Sequence, residues 1–226
     1  MMAALAGSLE QKMQVVRDAV PATAGRVAGY IPRLAEADPN TFGAAICSVN
    51  GDFHSAGDDR HRFSIQSCVK PFTYLMACED LGLRTVHDYV GREPSGQAFN
   101  AFELTADKPP LPFNPMINTG AIAICNLLGQ RQGSRDEIFG GIENRLRSIA
   151  TDDGLAPMDL HYGFDSEVYE SECLTGFTNY ALAHFLRDKS DVTLPHTPAI
   201  CPSTVDENLQ LYDTKPLACQ PLARDT

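Results

Sequence analysis

Ser67 and Lys70 stand three residues apart in Phe63-Ser64-Ile65-Gln66-Ser67-Cys68-Val69-Lys70-Pro71-Phe72. This S-x-x-K spacing can do acyl-transfer chemistry. On one helix the pair shares a face, and an amine kept neutral by burial can take the proton of the attacking hydroxyl. Pro71 marks where that helix begins, because a residue without a backbone N–H is tolerated only in the first turn. Ser67 is therefore expected at the positive helix end, where its own N–H can help hold an oxyanion, a contribution of about 3 kcal/mol per donor. Cys68, one position on, points about 100° away from the Lys70 face and pairs with no histidine at a telling spacing.

The elements that must position the pair are legible in outline. Apolar residues at helical spacing predict a helix over Ser8–Ala19, and Gly25–Ala35 reads as a second helix broken by Pro32. Phe42–Val49 reads as a buried strand, joined through an Asn50-Gly51 turn to a second strand over Asp52–Ala56. The S-x-x-K helix should run to about Leu81, where Gly82 can cap it. A Pro/Gly-rich loop fills Arg92–Pro115, and helices are expected over Ile117–Leu128 and Ser134–Ala150. After Leu194 one helix-like piece stands out, Ser203–Leu211. Early strands followed by helices predict an α+β or three-layer arrangement, with a helical lobe on a small sheet in one domain over residues 1–226.

Composition excludes several partners. The 226 residues carry 18 basic and 29 acidic side chains, a net charge of −11, with no Lys/Arg cluster and no Trp. That balance argues against nucleic acid and anionic membranes. No apolar run approaches the roughly 18 to 20 residues of a membrane span, and the N-terminus lacks a signal-peptide pattern, so a cytoplasmic protein is expected. Seven scattered cysteines show no C-x-x-C pair, and the six histidines form no metal-binding pattern. Reduced thiols and chemistry without metal or cofactor are the expectation.

Four blocks taken in order carry a family resemblance: Gly29-Tyr30-Ile31-Pro32, the Phe63–Phe72 segment, Gly91-x-Glu93-Pro94-Ser95-Gly96 and Asn114-Pro115-Met116-Ile117-Asn118-x-Gly120-Ala121-Ile122. Over about Gly25–Phe185 the chain resembles the serine-dependent glutaminases of β-lactamase-like fold. The resemblance implies hydrolysis of L-glutamine to L-glutamate and ammonia, with Ser67 as nucleophile and Lys70 as its activating partner. It adds Tyr30 to the catalytic set and puts Gln66 against the substrate. It also implies a zwitterion clamp of Asn118, Glu172 and Asn179, in a homo-oligomer, a homotetramer. An acid suits the α-ammonium and amides suit the α-carboxylate. From the residues alone, Tyr30 reads more readily as a core tyrosine and Glu172 more readily as a solvated surface acid, with Glu170 an equal candidate. Glu172 and Asn179, seven apart, would share a face if their segment were one helix.

The family pattern usually continues well beyond this length and includes another site tyrosine and a glycine-rich Ser-Gly-Val segment. Tyr212 is the best match to a helix tyrosine of the site, and from Asp213 the pattern is lost. The expectation is a domain that lacks C-terminal strands and is impaired in activity. Two rivals stand beside a glutaminase. A penicillin-recognising enzyme would need S-D-N and K-T-G partners, and the nearest text is Ser190-Asp191-Val192. A non-catalytic chain of the same fold, acting by association, is the other.

Overall fold

A computed structural model describes residues 9–19, 25–49, 53–129, 135–151 and 165–189. The Asn50-Gly51 turn, Ser190-Asp191-Val192, the piece Ser203–Leu211 and Tyr212 lie outside the described residues. The chain opens with α1 (Leu9–Ala19) and makes an antiparallel pair from β1 (Gly43–Cys47) and β2 (Phe53–Gly57). Then follow α2 (Lys70–Leu81), α3 (Leu83–His87), α4 (Asn118–Gly129), α5 (Arg135–Thr151), α6 (Ser166–Cys173) and α7 (Phe177–Lys189). The strand register pairs Gly43 with Gly57, Ala45 with Ser55 and Cys47 with Phe53, and α1 lies against β2.

Two expectations change here. Gly25–Ala35 is not a helix: only a 3-10 turn forms over Pro32–Glu36. Ile31 precedes a proline and is held extended at φ −122°, ψ 127°, which stops a helix from running through it. β1 is not a buried strand either. Ile46 is 46% exposed, because among the described residues the sheet has two strands and its cover is α1.

The core is helical and centres on α4. Its segment Asn118-Thr119-Gly120-Ala121-Ile122-Ala123-Ile124-Cys125-Asn126-Leu127-Leu128-Gly129 is apolar on nearly every face beyond the first turn, the signature of a helix surrounded by others. Ile124, Cys125, Leu127 and Leu128 pack with Val69, Met76 and Ala77 near or on α2 and with Ile142 and Leu146 on α5. From another side Ile122 packs with Leu182, Ala183 and Leu186 of α7. α4 therefore carries its polar first turn into the middle of the molecule. Gly120 lets it come that close: a Cβ there would meet the Asn114 carbonyl oxygen at 1.9 Å.

The other joints are polar. Arg145 on α5 reaches Asp80 on α2 with both terminal nitrogens, one of them 3.0 Å from Oδ2. That forked hydrogen bond to the carboxylate raises the guanidinium pKa further above its ordinary value. Arg33 in the 3-10 turn pairs with Glu36 and with Glu167 of α6, and its N–H donates to Ser171 Oγ at 3.3 Å.

Candidate active site

Pro71 sits in the first turn of α2, as its missing N–H requires, but α2 begins only at Lys70. Ser67 lies one step earlier, in a 3-10 turn over Gln66–Val69 whose last bond runs from the Lys70 N–H to the Ser67 carbonyl. Ser67 is thus not at the end of the α-helix proper. The outcome for chemistry is similar, since residues i and i+3 of a 3-10 turn eclipse and bring Ser67 and Lys70 onto one side. The turn also leaves the Ser67 N–H outside its i to i+3 bonds, which include those from Cys68 to Ile65 and from Lys70 to Ser67.

Gln66 enters that turn with φ 45°, and it is the one non-glycine residue with positive φ among the described residues. For such a residue the left-handed region costs about 1 to 2 kcal/mol. Its side chain is tied at both ends. The Tyr30 hydroxyl donates to Gln66 Oε1 at 3.1 Å, and Gln66 Nε2 donates to Ser64 Oγ at 2.9 Å.

Lys70 is 5% exposed, and its amine nitrogen lies 2.8 Å from Asn118 Oδ1 and 3.1 Å from the Met116 carbonyl oxygen. A buried amine needs such acceptors, because leaving a buried donor unmet costs about 1 to 3 kcal/mol. Both are carbonyl oxygens that can only accept, so the amine donates to each. Since Asn118 Oδ1 faces a donor, its NH2 group points the other way and donates to Asn179 Oδ1 at 2.9 Å. Lys70, Asn118 and Asn179 therefore form one buried chain of hydrogen bonds across α2, α4 and α7.

Glu172 is also buried, at 1% exposure, in the last turn of α6. It does not share a helix with Asn179. Leu174–Gly176 interrupts the segment: the Thr175 N–H bonds to the Glu172 carbonyl, and the Gly176 carbonyl takes the N–H groups of Asn179 and Tyr180 to start α7. The two site candidates thus flank a helix junction. The Tyr180 hydroxyl closes it by donating to the Cys173 carbonyl at 3.3 Å.

A cavity of about 890 Å³ opens beside this constellation, with Tyr30, Ser64 and Gln66 in its wall together with Arg17, Arg26 and Arg62. Ser67 and Lys70 are not part of that lining. Among the described residues no group of three or more His, Cys, Asp or Glu could hold a metal.

Three contributors stand in the sequence blocks that carry the resemblance, but nothing in the sequence gives them a part in the site. Ser64 takes the Gln66 amide, and Met116 offers only its carbonyl. Asn114 shapes the turn that presents both Met116 and Asn118: its Oδ1 accepts from the Met116 and Ile117 N–H groups at 2.9 and 3.3 Å, and its NH2 donates to the Glu93 carbonyl at 2.9 Å. Asn114-Pro115 before an apolar run was a readable capping signal. The Lys70–Asn118 bond, 48 positions apart, has no local signal.

Comparison with known proteins adds the family. The glutaminase family model matches residues 25–213. The mitochondrial liver-isoform glutaminase of Rattus norvegicus is 36% identical over 176 residues, covering 78% of this chain and 28% of the relative. The glutaminase of Corynebacterium glutamicum is 41% identical over 175 residues, 77% of this chain and 40% of the relative. Among solved structures, Mglu in its native form superposes with a TM-score of 0.74 at 34% identity, over 95% of this chain and 47% of that one. The probable glutaminase YbaS superposes with a TM-score of 0.67 at 27% identity, over 88% and 57%. The chain spans less than two thirds of the length of each of these relatives. With helices and strands arranged as in solved glutaminases of β-lactamase-like fold, and with a match over most of its length, the chain belongs to the glutaminase family.

Proposed function

We propose that this chain is built to hydrolyse the side-chain amide of L-glutamine to L-glutamate and ammonia through an acyl-enzyme on Ser67. The observation that carries this reading is the buried Lys70–Asn118–Asn179 chain beside the turn in which Ser67 is exposed. Neutral Lys70 takes the Ser67 proton as Oγ attacks the amide carbon, and the Ser67 N–H donates to the developing oxyanion. Collapse returns the proton to the leaving nitrogen and releases ammonia. Water, giving its proton to Lys70, then attacks the ester, and glutamate leaves with Ser67 restored. Asn118, Asn179 and Glu172 are the groups suited to the substrate's charged ends, with the acid toward the α-ammonium. Tyr212 remains a proposed site residue on the family match alone, and a homo-oligomeric state a proposal of the same kind. Support for the substrate comes from relatives named as glutaminases and from a related structure of Mglu in its glutamate form.

An ammonia-release assay on the purified chain beside Ser67→Ala tests the reading. Turnover of glutamine that vanishes on that substitution and survives a chelator is the expected outcome. Turnover that persists without the Ser67 hydroxyl would refute it.

A further inference from the structure

Gln66 combines an unusual backbone with a side chain that is not at liberty. Its φ of 45° is a conformation that glycine adopts freely, yet a glycine would have no carboxamide. That carboxamide is held at Oε1 by the Tyr30 hydroxyl and at Nε2 by Ser64 Oγ. The anchors come from different places: Ser64 is two residues upstream, and Tyr30 stands just before the turn that packs on α6. What they fix is the peptide that leads directly into Ser67.

We infer that Ser64 and Tyr30 are positioning residues for Ser67, bracing Gln66 in its left-handed conformation so that the serine hydroxyl and N–H keep their register with Lys70. The role rests on the proposed nucleophile. Each acts through Gln66, and for Tyr30 this bracing is distinct from the catalytic role that the family resemblance implies. Released from them, Gln66 relaxes toward negative φ, which turns the peptide plane entering Ser67 and carries its N–H and side chain away from Lys70. The two anchors are unequal. The Ser64 bond is partly buried, whereas Tyr30 is 54% exposed and water can take its place. Ser64 is the stronger brace.

Ser64→Ala, Ser64→Thr and Tyr30→Phe test this in the full chain by two independent readouts. The first is the rate at which a diazoketone analogue of glutamine labels Ser67, followed by peptide mass against analogue concentration, with Ser67→Ala as blank. Ser64→Ala should slow the maximal labelling rate roughly ten- to hundredfold with half-saturation unchanged, as expected for a misplaced reacting group. Ser64→Thr, which keeps a hydroxyl, should restore most of the loss, and Tyr30→Phe should fall between. The second readout is amide hydrogen exchange of the segment 63–70, which should quicken in Ser64→Ala and return to its original rate in Ser64→Thr. Unchanged exchange in Ser64→Ala overturns the brace, whether or not the serine is labelled. No labelling of the unsubstituted chain overturns the nucleophile, and with it any positioning role. Should Ser64→Ala fail to fold, Tyr30→Phe at its exposed site carries the test, and no change in either of its readouts overturns the inference.

Discussion

In the proposed mechanism, Asn118 stands at the point where substrate binding and proton transfer meet. Its carbonyl oxygen takes a Lys70 N–H and one N–H of its NH2 group goes to Asn179, so one neutral amide orients two candidate site residues at once. Neutrality matters as much as shape. Asn118→Asp keeps the size but sets a carboxylate about where Oδ1 lies, 2.8 Å from the amine nitrogen, and an anion at that range favours the ammonium. An ammonium cannot accept the Ser67 proton, and the Asn179 carbonyl would face an acceptor in place of its donor. Glutamine hydrolysis near neutral pH should fall by about a hundredfold, the order that general-base removal costs. The rising limb of the pH–rate profile should move to higher pH. Unchanged kinetics in Asn118→Asp would exclude Lys70 as the base. The sequence made Ser67 and Lys70 legible because their partnership is local and periodic. Asn118 was reached only as a substrate ligand, since nothing in a linear pattern connects it to a lysine 48 positions away.

Among the elements, α4 has the tightest constraint. It brings its polar first turn into an apolar core because Gly120 admits the Asn114 backbone, and a methyl group there would lie 1.9 Å from a carbonyl oxygen. Backbone cannot step aside as a flexible side chain can. Gly120→Ala should destabilise the fold by about 1 to 3 kcal/mol or more, read as a lower urea midpoint, with Asn118 displaced in the same move. α2 and α3 share a different joint. His87 Nδ1 lies 2.8 Å from the Val90 carbonyl, which can only accept, so Nε2 accepts the Tyr74 hydroxyl at 2.8 Å. Burial first, and then a hydrogen bond with Cys78, push the Tyr74 phenol above its ordinary value. A group whose folded pKa is raised stabilises fully below its unfolded pKa, about 10 for tyrosine, and loses that contribution as pH climbs through the folded value. Melting temperature should therefore decline above about pH 10, and decline less in Tyr74→Phe. Pro71 and Gly82 announced the limits of α2 because each acts within its own turn. Gln66 gave no such notice: a left-handed residue is foreseen from glycine or asparagine, and here side-chain bonds to Tyr30 and Ser64 accompany it. The pre-proline restraint at Ile31 is also readable, and it outweighs a helix across Gly25–Ala35.

At the scale of the whole molecule, the proposed substrate contacts come from four separate elements. Ser67 lies in the turn before α2, Asn118 begins α4, Glu172 is in the last turn of α6 and Asn179 is in the first turn of α7. A ligand held by all four adds to the Lys70–Asn118–Asn179 hydrogen bonds that already join α2, α4 and α7, and it binds the folded chain alone. Such a ligand raises stability by about 2.7 kcal/mol at a hundred times its dissociation constant. For a chain of this size each kcal/mol moves the melting temperature by about 2 to 4 °C, so a shift of about 5 to 10 °C is expected. Ser67→Ala is the form to use, since it binds without turnover. L-Glutamine should raise its melting temperature, and Glu172→Gln in the same background should remove most of the shift by withdrawing the charge for the α-ammonium. L-Asparagine should do less. With its charged ends seated on α4, α6 and α7, its shorter side chain stops one methylene from the turn before α2, a difference of about 1 to 3 kcal/mol. A shift of equal size with both amides would mean that the ligand does not span from the α6–α7 junction to Ser67, and that the four elements do not form one site.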